Sequence, residues 1–143
     1  MRIILSCPVS QNFTQVFDQF DRELFVALAP PLLPMGLKRF DGCKVGDEVH
    51  IQTPGGLWIS VITEAARGES EHYFVDEGSK LPPPLVYWRH KHIVRQDSLG
   101  SSVIIDDIEF RARWSVLDPV IKPFLWMLFK LRHPVYRRYF QEK

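Results

Sequence analysis

The sequence predicts an α+β domain: an antiparallel sheet of about seven strands, two short helices after the first strand, and a long C-terminal helix. Three observations carry this. Short apolar runs with strand-like alternation recur between turn signals from residue 36 to residue 112, the pattern of an antiparallel meander. Helical spacing of apolar residues is found at 13–28 and again at 117–131, on either side of that meander. With 143 residues and 45% hydrophobic content, the chain suits one domain over 1–143 with a sizeable core.

Residues 2–9, rich in Ile, Leu and Val, read as the first strand, ended by Pro8 and Ser10. Ser10 is then the expected N-cap of a helix whose stripe is Phe13, Val16, Phe17 and Phe20. Asp21 caps a second helix with Leu24, Phe25 and Leu28 on its apolar face, and Pro30 and Pro31 stop it. Strands follow at 36–40, 48–53, 58–65 and 71–75, separated by Asp41-Gly42, Val45-Gly46-Asp47, Pro54-Gly55-Gly56 and Arg67-Gly68. Residues 78–85 hold Pro82, Pro83 and Pro84, which donate no ladder hydrogen bonds, so this segment reads as a stiff loop or edge approach.

The longest hairpin has arms at 86–95 and 102–112 around a turn at 96–101. Alternation puts Val86, Trp88, His90, His92 and Val94 on one face of the first arm. In the second arm Ile104, Asp106, Ile108 and Phe110 share a largely apolar face. Two histidines and an aspartate therefore stand among apolar neighbours, and a turn near Ser98 brings His90 or His92 within reach of Asp106. A buried imidazole or carboxylate needs a partner. The trio reads either as a satisfied polar pair in the core or as the polar floor of a ligand cavity. No metal is assigned: a facial set of His90, His92 and Asp106 would need further groups to orient its ligands, which sequence does not reveal.

Asp118 and Pro119 open the last helix as N-cap and first residue, with its regular part expected near Pro123 after one irregular turn. Leu117, Val120, Ile121, Phe124, Leu128 and Leu131 form one apolar face, and Trp126, Met127 and Phe129 make the middle apolar nearly all round, which predicts burial on more than one side. Pro134 predicts a break just after His133. Residues 130–143 carry five Lys or Arg and one acidic residue, a solvated end or a weak contact with anionic lipid.

Eighteen basic and seventeen acidic residues leave net charge +1, so no global field draws nucleic acid. Cys7 and Cys43 make no CxxC and no disulfide framework, which points to a reducing, cytoplasmic setting. Residues 1–9 are too short an apolar run for a signal peptide, and charges at Asp118, Lys122 and Lys130 exclude a transmembrane segment at 116–131. No nucleophile elbow, phosphate loop, dinucleotide fingerprint or zinc signature is present, so no cofactor is assigned.

Six stretches taken together resemble the START-like, or SRPBCC, helix-grip proteins, a superfamily that includes the birch-pollen allergen group, and within it a small bacterial ligand-binding branch. They are Leu28-Ala29-Pro30-Pro31, Trp58-Ile59-Ser60-Val61-Ile62-Thr63, Phe74-Val75-Asp76-Glu77, Trp88-Arg89-His90-Lys91-His92, Asp106-Asp107-Ile108-Glu109-Phe110 and Phe129-Lys130-Leu131-Arg132-His133. The chain departs from the branch at Leu81-Pro82-Pro83-Pro84-Leu85 and at 114–119, both near the expected cavity mouth. The resemblance implies a sheet wrapped around the last helix with a ligand cavity between them. It further implies walls from Trp58, Phe74, Trp88, Phe110, Trp126 and Phe129, with His90, His92 and Asp106 orienting the ligand. Core filling is the alternative role for the aromatics.

Two functions follow. The first is binding or carriage of a small hydrophobic molecule such as a lipid, isoprenoid, pigment or polyketide-like compound. The second is a cyclase- or dehydratase-like enzyme in which His90 or His92, with Asp106, moves protons. A structural or interaction role with a filled cavity is the third alternative.

Overall fold

The computed structural model describes residues 1–30, 33–98 and 100–141. Strand β1 (Arg2–Val9) turns Ile3, Leu5, Cys7 and Val9 inward and its alternate residues out, as a half-buried strand must. Two short helices follow. In α1 (Phe13–Asp18) the cap is Asn12, whose side-chain oxygen accepts from the amides of Thr14 and Gln15 at 3.0 Å, so the helix starts later than a cap at Ser10 would place it. In α2 (Arg22–Ala27) Asp21 caps as expected, accepting from the Leu24 amide at 2.9 Å. Pro31 lies outside the described residues.

The remaining strands are β2 (Gly36–Phe40), β3 (Glu48–Thr53), β4 (Gly56–Arg67), β5 (Glu71–Lys80), β6 (Leu85–Gln96) and β7 (Ser102–Ala112). They form one seven-stranded sheet in the order β1-β7-β6-β5-β4-β3-β2 with every neighbour antiparallel. Register shifts in β2–β3, β4–β5 and β6–β7 mark bulges, each of which bends its strand and strengthens the twist.

Several boundaries differ from expectation, with β4 two residues longer at each end. Strand β5 runs five residues beyond Val75, because Asp76, Glu77 and Gly78 pair with Ile62, Val61 and Ser60 although they are not apolar. The triple proline is thereby confined to the short connection into β6, tied by Leu85 N to Pro82 O at 3.1 Å and by Arg113 N to Pro84 O at 2.8 Å. Val86 falls at the bulge between Leu85 and Tyr87, so it leaves the face of Trp88 and is exposed.

After β7 a single 3-10 turn (Ser115–Leu117) leads into α3 (Asp118–Lys130), and α4 (Arg132–Tyr139) follows. Asp118 does not cap α3. Its buried carboxylate accepts from the Ala112 amide at 2.7 Å, holding the helix start to the end of β7. Helix α3 runs through Pro123, on an exposed side where the lost hydrogen bond disturbs little packing. The break comes at Leu131, before His133. Pro134 supplies no amide for the Lys130 carbonyl and its ring crowds that carbonyl, so the disruption falls one turn upstream of the proline.

The helices cover one face of the sheet in two apolar clusters. In one, Val16, Leu24, Leu28, Tyr136 and Phe140 from α1, α2, α4 and their flanks meet Cys7, Val9, Val94 and Ile104. In the other, Leu125 and Phe129 of α3 meet Ile3, Leu5, Trp88, Ile108 and Phe110. Along β6, His90 and His92 sit between Trp88 of one cluster and Val94 of the other. On β7, Asp106 sits between Ile108 and Ile104 in the same way. Among the described residues helix α3 is buried on this side alone and nothing covers its outer side, contrary to the expectation of burial on several sides.

Candidate functional site

Across the ladder His92 is the direct partner of Asp106 on one side and of Phe74 on the other, while His90 faces Ile108 and Asp76. The hydrogen bonds run diagonally instead. His90 Nε2 donates to Asp106 Oδ1 at 2.8 Å, and His92 Nε2 donates to Asp76 Oδ2 at 2.6 Å. The two imidazoles lie with ring centroids 3.6 Å apart, and Phe74 stacks on the far side of His92 at 4.2 Å. His92 is thus clamped between two flat rings.

Asp76 is the junction of the network. Its second oxygen accepts from Trp88 Nε1 at 3.1 Å, and its Oδ2 lies 3.7 Å from His90 Nδ1. Trp88 meets Trp58 edge-to-face at 4.8 Å, and Trp58 Nε1 donates to Ser60 Oγ at 2.9 Å, so both indoles are held in one orientation. Sequence reasoning missed Asp76 because the expected strand ended at Val75. Extending the alternation of Phe74 by one step would have put it on the cavity face.

Burial raises the Asp76 carboxyl, but the His92 hydrogen bond, the two imidazoles and Trp88 outweigh it and hold it below the usual carboxylate range. Burial likewise acts upward on Asp106, and His90 and Arg132 bring it below the usual range. His92 is pushed down to about 4, by burial first and by His90 second. His92 is therefore neutral at pH 7 and carries its proton on Nε2. Its Nδ1, like Asp106 Oδ2, is buried without a hydrogen-bond partner among the described residues.

Asp76, His90 and His92 border a cavity of about 150 Å³ between the sheet, α2 and α3, partly open to solvent. Of the expected wall residues, Trp58, Phe74, Trp88, His90, His92 and Phe129 line it. Asp106 does not. It lies behind His90 and reaches the cavity through that ring. Phe110 is buried in the cluster under α3, outside the lining. Trp126 points away, exposed on the outer side of α3, with the Lys130 ammonium 5.8 Å from its ring. Residues not singled out from sequence as wall complete the apolar lining, among them Phe20, Phe25, Leu28, Ile62 and Leu125.

Among the described residues, the donor set able to hold a metal ion is Asp76, His90 and His92, whose ligand atoms lie within 4.8 Å of one another. Asp106 is not the third member, being bonded to the opposite nitrogen of His90. The same geometry can act as an acid–base pair, with each imidazole oriented by a carboxylate.

The chain matches no family model. It also matches no curated protein. Solved structures do match over nearly its whole length. A START superfamily protein from Mycobacterium smegmatis is similar with a TM-score of 0.63 at 10% identity, covering 94% of this chain and 91% of that one. The fold is START-like. An uncharacterized protein from Bacillus thuringiensis shares this START-like architecture at a TM-score of 0.72 and 15% identity, covering 98% of both chains. Norcoclaurine synthase from Thalictrum flavum, in complex with dopamine and hydroxybenzaldehyde, gives 0.60 at 16% identity over 87% of this chain and 76% of that one. Among the described residues no helix is long and apolar enough to cross a membrane.

Proposed function

We propose that this START-like chain binds one small hydrophobic molecule in the cavity beneath α3, with a hydroxyl or amine of that molecule donating to Asp76. The observation that carries the reading is an apolar cavity interrupted on one wall by the Asp76–His90–His92 network. An apolar pocket with a few convergent polar groups is the usual form of a ligand site. A cavity of about 150 Å³ accommodates about one benzene ring. That size favours a single-ring or similarly short compound over a whole lipid or pigment. Norcoclaurine synthase, whose fold this chain shares, holds single-ring compounds, dopamine and hydroxybenzaldehyde. Asp76 already accepts from His92 and Trp88, and an ionised carboxylate has lone pairs for another donor. Two free thiols, Cys7 and Cys43, suit a reducing cytoplasm.

Thermal unfolding and calorimetry with 4-ethylphenol and ethylbenzene test the reading. The phenol binds more tightly, Asp76→Asn erases its advantage, and Leu28→Phe, which adds bulk to the lining, weakens both. Absence of any shift with either probe, together with no compound co-purifying from the native host, would overturn it.

A second reading, a cyclase- or dehydratase-like enzyme, is favoured by the 2.8 Å bond from His90 to Asp106 directly behind the cavity wall. It predicts that the protein accelerates exchange of the α-hydrogens of phenylacetone with D2O and that His90→Ala and His92→Ala abolish the acceleration. Exchange at the buffer rate ends this reading.

A further inference from the structure

The outer side of α3 carries an apolar surface that neither the core nor the cavity uses. Val116, Val120, Phe124, Met127 and Leu131 recur at helical spacing and lie between 40% and 75% exposed. Trp114, two residues past β7 and just before the 3-10 turn, and Trp126 beside the stripe are exposed as well. Single exposed apolar residues are ordinary, but a contiguous row of large ones marks a contact surface.

The charge around this row identifies what it contacts. Arg113, Lys122 and Lys130, on or next to this stretch, are exposed, as are Arg137 and Arg138 further along on α4, and among the described residues none of the five is in a salt bridge. Between Arg111 and Gln141 the one acidic residue is Asp118, which is buried and bonded to the Ala112 amide. The ammonium of Lys130 lies over Trp126 and the guanidinium of Arg113 near Trp114, 5.8 and 5.4 Å from the ring centroids. Aromatic and cationic groups side by side, beside an apolar helix face, match the boundary between acyl chains and anionic headgroups. A second copy of this surface would bring like charges together, whereas an anionic bilayer neutralises them.

We propose that the α3 face, from Trp114 to Leu131, docks this protein onto anionic lipid surfaces. The helix lies in the plane of the interface with Val120, Phe124 and Met127 inserted and the flanking cations on the headgroups. The inner side of the same helix supplies Leu125, Leu128 and Phe129 to the cavity lining, so docking sets the membrane directly above the cavity roof.

The test is sedimentation of the full chain with vesicles of phosphatidylcholine alone or mixed equally with phosphatidylglycerol, at low and high salt. Binding to the mixed vesicles at low salt, weakened at least tenfold by phosphatidylcholine alone or by high salt, is the expected result. Phe124→Ser with Met127→Ser, and separately Lys122→Gln with Lys130→Gln, each reduce it by about tenfold or more. These exposed positions leave the circular dichroism spectrum unchanged. Equal binding to both vesicle types, or unchanged binding by both double variants, overturns the proposal. A dimer in light scattering that the apolar double variant dissolves, with no vesicle binding, also overturns it and assigns the face to a second copy.

Discussion

At the scale of single residues, the site is governed by what happens to polar groups taken out of water. His92 is neutral because burial and the neighbouring His90 disfavour its cation more strongly than Asp76 favours it. This has a pH consequence. An unfolded histidine takes up its proton near pH 6.5, while folded His92 does so only near 4. In that interval the unfolded chain holds more protons, so stability is complete above about 6.5 and falls as pH drops towards 4. His72 and His133, also held down chiefly by burial, act in the same direction, and the depressed Asp76 and Asp106 extend the loss further into acid. The His92 share is on the order of 3 kcal/mol. Urea denaturation across this range should show stability rising with pH, and His92→Gln should flatten the slope.

At the scale of elements, the boundaries that departed from expectation share a cause: pairing and packing overrode local pattern. Strand β5 continues through Asp76, Glu77 and Gly78 because β4 offers them ladder partners, and that extension carries Asp76 to the cavity. The bulge at Val86 turns one residue out so that Trp88, His90 and His92 keep their inward face. Asp118 has the residue type of a cap and a different task, since it satisfies the Ala112 amide where β7 ends. Asp118→Ala leaves that amide buried without a partner and should cost about 1–3 kcal/mol in chemical denaturation.

At the scale of the whole molecule, two apolar clusters hold the helices to the sheet and leave a polar band between them. Tyr136 and Phe140, beyond the break at Leu131, are fully buried against Cys7, Val9 and Val16. Removing residues 132–143 therefore opens the core. Losing two such aromatics costs about 6–10 kcal/mol, comparable with the whole stability of a typical domain. The truncated chain should show no cooperative thermal transition by circular dichroism.

Much of the architecture was legible in the residues themselves. Strand alternation in β1, β6 and β7 and the Asp21 cap depend on short-range periodicity, and the inward pair His90 and His92 follows from a two-residue step. The order of elements followed from turn signals, and the resemblance drawn from six short stretches agrees with the START-like fold. What tertiary structure alone decided is which carboxylate each imidazole meets, that Asp76 is the shared acceptor, and that Trp126 faces outward while Phe129 faces the cavity. Periodicity names a face, but cross-strand register and the rotation of a helix about its axis decide what that face touches. Both are set by packing between segments remote in the chain.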